Sequence, residues 1–208
     1  MSVTVYGVQA SPYVRGARMG LEEKRVDYNF VDIPIGAHKE PAHIARHPFG
    51  RVPAFAHDDF ALYETQAILR YIDQVFPGEP LQPKDARAQA RMNQLMGIVD
   101  WYVMPNMSAM AFQRLIVPRL GGKPDEAAIA KLLPMARIAV AEIDRLSDGR
   151  PYLTGEKVSL ADLMLAPHYF YFMLTPEGKS LGSDYPRLGA WLARMEAHPS
   201  MKATAPKM

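Results

Sequence analysis

Ser11-Pro12, Val52-Pro53 and Glu64-Thr65 are the stretches whose residue types could do chemistry. Serine followed by proline reads as the N-cap and first residue of a helix running to about Lys24. A serine hydroxyl placed there can donate to an anion, while the helix N–H groups and dipole add positive potential. If the anion is a thiolate, these terms lower its pKa. Starting from a free-thiol value of about 8.5, a drop of two units needs roughly 2.7 kcal/mol. A hydrogen bond to a charged group supplies about 1.5–3 kcal/mol and the helix end about 0.3–1, so neither a base nor a metal is required. Glu64-Thr65 stands at a strand-to-helix junction, where unpaired N–H groups attract anions. Pro53 cannot donate to a ladder, and a loop turning away there leaves the Val52 backbone free to pair with an extended peptide. Each stretch also has a plain structural use: Ser-Pro is a good helix start and Glu-Thr an ordinary cap.

Composition narrows the chemistry. The chain has 208 residues, no cysteine, and a net charge of 24 − 22 = +2. Without cysteine there is no disulfide framework, thiolate metal site or thiol nucleophile, so any sulfur chemistry must come from a bound ligand. The charge is too small to argue for nucleic acid or a membrane surface. No apolar run approaches the ~20 residues of a membrane span, and the polar-alternating start at Ser2 to Tyr6 is not a signal peptide, which makes cytoplasmic residence the expectation. His38, His43 and His47 are spaced as if on one helical face, but Pro41 and Pro48 interrupt them and no acidic partners follow. No metal is expected. There is no P-loop, no G-x-G-x-x-G and no basic–aromatic array.

A regular order of elements must position these residues. Val3–Gly7 is a short strand, followed by the helix from Pro12 and a second strand over Tyr28–Asp32. Residues Ile33 to Arg46 read as loop with a short helical turn near the end. Ala54-Phe55-Ala56 and Phe60-Ala61-Leu62 are strands joined by a turn at His57-Asp58-Asp59. From Glu64 the apolar residues Ala67, Ile68, Tyr71, Ile72 and Val75 recur at helical spacing. The order is βαβ-ββα. Three prolines and a glycine within Phe76–Pro83 mark a linker. Beyond it everything reads as helical. Ala86 to about Met110 carries the stripe Met92, Leu95, Met96, Val99, Tyr102 and Val103, interrupted near Pro105. Asp125–Leu146 is broken or kinked at Pro134 and stopped by Gly149. Ser159 and Asp162 form a capping box with Val158 and Leu163 as its hydrophobic staple. That helix runs into Pro167, and a last helix spans roughly Pro186–Ala197. The expected division is a domain of residues 1–77, a linker of 78–85 and an all-helical domain of 86–208.

The segment His47-Pro-Phe-Gly-Arg-Val-Pro-Ala54 followed by Tyr63-Glu-Thr-Gln-Ala-Ile68 resembles the cytosolic glutathione transferases. The match is closest to their phi class, with theta-like, serine-type features. That family carries an Asn-Pro-Phe-Gly-Gln-Val-Pro-Ala-like loop, a Phe-Glu-Ser-Arg-Ala-Ile-like junction and the same Ser-x-Ala-Asp box, so the likeness covers nearly the whole chain. It implies an N-terminal thioredoxin-like domain and a C-terminal all-helical domain, a cis Pro53, and glutathione as co-substrate. By this resemblance Ser11 stabilises the glutathione thiolate, Glu64 and Thr65 hold the γ-glutamyl end, Val52 pairs with the cysteinyl backbone, and His38 and Lys39 bind the glycyl carboxylate. Tyr6 is the rival activating hydroxyl, since other classes use a tyrosine at the end of the first strand. Implied too are a homodimer, a hydrophobic electrophile bound in a pocket between the domains, and a peroxidase activity by the same thiolate. The competing reading is a non-catalytic binding protein of the same fold. Three positions depart from the pattern: Arg51 stands for glutamine, His47 for asparagine and Asp58 for the hairpin glycine.

Overall fold

A computed structural model describes residues 2–206. Four strands, β1 (Val3–Gly7), β2 (Asn29–Asp32), β3 (Ala54–His57) and β4 (Phe60–Tyr63), form one mixed sheet in the order β2-β1-β3-β4. β2 lies parallel to β1, while β3 runs antiparallel to both β1 and β4. The parallel pair needs a crossover, which α1 (Pro12–Glu23) supplies. Alternation in β1 buries Val3, Val5 and Gly7 on one face. These meet Val14, Ala17 and Leu21 of α1 and Ile68 and Ile72 of α3 (Thr65–Val75), with Phe55 and Phe76 completing the core. Gly7 is required by closeness: a Cβ there would lie 2.4 Å from Val14 Cγ2. This is the thioredoxin-like arrangement the residue pattern implies, and Asp58 makes the hairpin turn at φ 51°, as the departure from glycine demands.

Between β2 and β3 the chain forms a 3-10 turn at Ala37–Lys39 and a single-turn α2 (Pro41–Ile44). The proline-rich linker is tied down rather than loose. The Asp73 carboxylate accepts from Leu81 N (2.8 Å), Gln82 Nε2 (3.0 Å) and Lys24 Nζ (2.7 Å). Lys24 also donates to the Glu79 carbonyl at 2.8 Å. Both ends of the Lys24–Asp73 pair are buried, so losing one partner would leave an uncompensated charge.

The helical unit begins with α4 (Ala86–Ile98), capped by Asp85, and continues through π-helical turns at Val99–Ser108, the short α5 (Ala109–Ala111) and a second π-helical stretch, Phe112–Ile116. Pro105 therefore does not interrupt the helix. It lacks an N–H, and the coil widens around it while Asn106 Nδ2 donates to the Tyr102 carbonyl at 2.8 Å. Tyr102, expected in the buried stripe, is exposed, whereas Met92, Leu95, Met96, Val99 and Val103 are buried. α6 (Glu126–Ser147) passes through Pro134, and α7 (Leu160–Met173) through Pro167. The α7 capping box is present: Asp162, fully buried, accepts from Ser159 N (2.9 Å), Ser159 Oγ (2.7 Å), Leu153 N (2.9 Å) and Trp191 Nε1 (2.8 Å). Burial pushes its carboxyl above the usual range, against the pull of those donors.

α9 (Pro186–Ala197) lies where its periodicity places it, but α8 (Pro176–Gly182) and α10 (Pro199–Ala203) escape a periodicity search because each is short. The chain divides into two compact units, Met1–Gln82 with Ala197–Met208, and Pro83–Glu196. The C-terminal segment thus groups with the first unit, whereas a simple division at the linker would leave it with the helical one. The reason is α1: the buried Arg15 guanidinium donates to the Met201 carbonyl at 3.3 Å, and His198 pairs with Glu23 at 3.1 Å.

Candidate active site

Register brings the chemically capable stretches to one end of the sheet. Ala54 at the start of β3 is flanked by Tyr6 of β1 on one side and Tyr63 of β4 on the other. Gly7, the last residue of β1, pairs with Asp32, the last of β2. The chain therefore leaves β1 toward Ser11, leaves β2 toward His38-Lys39, enters β3 from Val52-Pro53 and leaves β4 into Glu64-Thr65, all at that same end.

Ser11 is the N-cap of α1, half-buried, with φ −67° and ψ 127°. Its Oγ accepts from Val14 N at 3.5 Å, at the long limit of a hydrogen bond. Accepting that bond uses a lone pair, which leaves the hydroxyl proton available for another acceptor. The approach loop is fixed by Ser11 N donating to the Val8 carbonyl (2.9 Å) and Gln9 N to Asp32 Oδ1 (3.0 Å). The Val52–Pro53 bond is cis, as the resemblance implies. Glu64 is exposed and sits at φ 71°, ψ 115°, a region that costs a non-glycine residue on the order of 1–3 kcal/mol. Strain of that kind at a helix N-terminus points to function, because a glycine would relieve it. Thr65 follows as the buried first residue of α3.

His38 and Lys39 lie against the loop that leads to Val52. A Cβ on Gly50 would stand 3.4 Å from the His38 carbonyl and 3.9 Å from Lys39 Cα, and Gly50 itself adopts φ 56°. Burial first, then the charges of Lys39, His43 and Arg51, hold the His38 imidazole below its usual value. Lys39, Arg46 and Arg51 give the region net positive charge, suited to a carboxylate. The guanidinium of Arg46 sits 4.6 Å over the Tyr6 ring. Tyr6 is half-buried on the face of β1 opposite Val3 and Val5.

Two further residues, His43 and His47, belong to this end of the sheet; the sequence offers them as histidines of helical spacing and, for His47, as the head of the loop motif where it stands for asparagine. Both are buried, and His43 Nε2 bonds the Arg51 carbonyl at 2.7 Å. Their four-residue spacing is obscured by the prolines on either side. Among the described residues no group of three or more His, Cys, Asp or Glu side chains could hold a metal.

Residues 5–80 match the family model "Glutathione S-transferase, N-terminal domain" and residues 126–194 match "Glutathione S-transferase, C-terminal domain". The chain is 34% identical over 205 residues to a glutathione S-transferase of Hyoscyamus muticus, covering 96% of each chain. A solved structure of glutathione S-transferase III in apo form is 31% identical, with TM-score 0.86 over 98% of this chain and 95% of that one. Glutathione S-transferase I from maize, solved in complex with an atrazine glutathione conjugate, is 28% identical with TM-score 0.84, covering 98% and 96%. Sequence and fold agree, and the chain belongs to the glutathione S-transferase family.

Proposed function

We propose that this protein conjugates reduced glutathione to small apolar electrophiles, with Ser11 donating to the bound sulfur and holding it as thiolate. The observation that carries this reading is the convergence of Ser11, Val52-cis-Pro53, Glu64-Thr65 and His38-Lys39 at one sheet end. In that frame the Val52 backbone pairs with the cysteinyl residue and the Glu64 carboxylate meets the ligand's ammonium. Thr65 and the α3 N-terminus take the γ-glutamyl carboxylate, and Lys39 with His38 takes the glycyl carboxylate. The thiol proton leaves to solvent. The thiolate then attacks the electrophilic carbon, a C–S bond forms, and the leaving group departs with its electron pair. Placing both reactants together supplies much of the acceleration.

The place of the Ser11 hydroxyl at a helix N-terminus favours it over Tyr6 as the donor, since the Tyr6 ring is covered by Arg46. The same reading carries a glutathione peroxidase activity, a homodimer, and a cytoplasmic detoxifying role, each resting on family likeness. No helix among the described residues is long and apolar enough to cross a membrane.

The decisive experiment titrates the ultraviolet absorbance of bound glutathione thiolate against pH in the unmodified protein, Ser11→Ala and Tyr6→Phe. A lowered thiol pKa lost only in Ser11→Ala is the expected result. Loss in Tyr6→Phe moves the role to Tyr6. Failure of the unmodified protein to bind glutathione removes the transferase reading and leaves a binding protein of the same fold.

A further inference from the structure

Two buried histidines connect the halves of the proposed glutathione cradle. His43 on α2 bonds the Arg51 carbonyl through Nε2, and Arg51 immediately precedes Val52. His47 lies among rings: its centroid is 6.3 Å from His43, stacked, and 4.8 Å from Tyr63, with Phe49 edge-on at 6.2 Å. Tyr63 immediately precedes Glu64-Thr65. His47 N also donates to the His43 carbonyl at 2.9 Å, locking the two residues as a unit.

From these contacts we infer that His43 and His47 position the backbone on both sides of the glutathione site, and that a second proton on the buried His47 ring makes glutathione affinity fall in acid. The inference rests on the glutathione reading above. A carbonyl only accepts, so His43 Nε2 carries the proton and Nδ1 is the bare nitrogen. Nδ1 of His43 and Nδ1 of His47 are both buried without a hydrogen-bond partner. A second proton on the His47 ring would place a cation and an unsatisfied donor in a closed space. The titratable and charged groups facing the pair offer no relief. They are His38 and Lys39 from the 3-10 turn, Arg51 from the loop and Tyr63 from β4, and Arg46 on the next turn is turned to Tyr6. Burial, then the charges of His43 and Arg51, accordingly depress the His47 pKa.

The His47 imidazole must be neutral in the binding-competent form. Because burial and the neighbouring charges hold its pKa below the ordinary value, affinity is full above that value and declines as pH falls through the lowered one, by up to about tenfold per pH unit for the proton taken up. Calorimetric Kd for S-methylglutathione, whose sulfur carries no titrating proton, between pH 5 and 8 tests this in the unmodified protein, in His43→Gln/His47→Asn and in His43→Leu. Glutamine keeps a donor for the Arg51 carbonyl and asparagine keeps polarity, but neither titrates. The unmodified protein is expected to lose about tenfold in affinity per unit below its midpoint. The double variant should bind within about twofold at pH 7.5 and show a flat profile. His43→Leu should raise the KM for glutathione at every pH with kcat nearly unchanged, and His43→Gln alone should restore it. A flat profile in the unmodified protein, or an acid loss that survives in the double variant, overturns the proposal while leaving the glutathione site standing. No glutathione binding at any pH overturns both.

Discussion

A capping serine accepts through a lone pair and keeps its proton to donate, so the cap and the proposed donor can be one hydroxyl. Ser11 holds Val14 N at 3.5 Å, whereas Asp125 at the head of α6 holds Ala128 N at 2.9 Å. Ser11→Ala should therefore cost less than about 1 kcal/mol in stability, the low end for a lost cap. It should lower kcat/KM for a chloronitrobenzene about 10- to 100-fold, the loss of one hydrogen bond to a charged group. Chemical denaturation and steady-state kinetics on the same preparation check both halves. Asp162 is the opposite case: its oxygens accept four hydrogen bonds and none is spare. Asp162→Asn turns an acceptor into a donor facing the Ser159 N–H or the Trp191 N–H, and unfolding midpoints should report a loss of about 2–4 kcal/mol with glutathione contacts untouched.

At the scale of elements, α1 ends in a left-handed turn without glycine. Arg25 takes φ 53°, Arg25 N donates to the Glu22 carbonyl and Val26 N to the Leu21 carbonyl, the pattern of a Schellman close. Glycine would relieve about 1–2 kcal/mol of backbone strain and give back about half in unfolded-state freedom. Arg25→Gly is expected to raise Tm by a few degrees. At the other contact of α1, burial would push the Glu23 carboxyl up, but hydrogen bonds from His198 and Ser200 and the His198 charge bring it below the usual carboxylate value. A depressed carboxyl contributes stability above its unfolded pKa of about 4.5 that is lost as pH falls through the folded value. Hydrogen exchange in α10 should speed up in that acid window, and Glu23→Gln should remove the change.

Much of this architecture is legible in the residues themselves. The alternation Val3, Val5, Gly7 and the Ser11-Pro12 and Ser159–Asp162 signals define β1, α1 and α7 because burial and capping are local demands. α8 and α10 stay hidden although Thr175-Pro176 and His198-Pro199 begin them as Ser11-Pro12 begins α1. Seven and five residues are too few for periodicity to speak. Proline misleads as a stop signal for a different reason: Pro105, Pro134 and Pro167 lie inside long helices whose packing outweighs one lost hydrogen bond. At the site, Ser11, Val52-Pro53 and Glu64-Thr65 carry visible signatures, whereas His43 acts through a carbonyl eight residues away that no pattern encodes.

For the molecule as a whole, the return of Ala197–Met208 to the first unit sets its limits. A chain cut after Glu196 should retain the capping box of α7, while hydrogen exchange across α1 rises because Arg15 loses the Met201 carbonyl. The return also bears on biosynthesis. A ribosome delivers the strands and α1 early, yet the piece that closes over Arg15 and Glu23 emerges only after the entire helical unit has been translated. The nascent sheet domain must wait through that interval with one face of α1 uncovered. Packing of the C-terminal segment against Arg15 and Glu23 of α1 can therefore only follow synthesis of the whole helical unit.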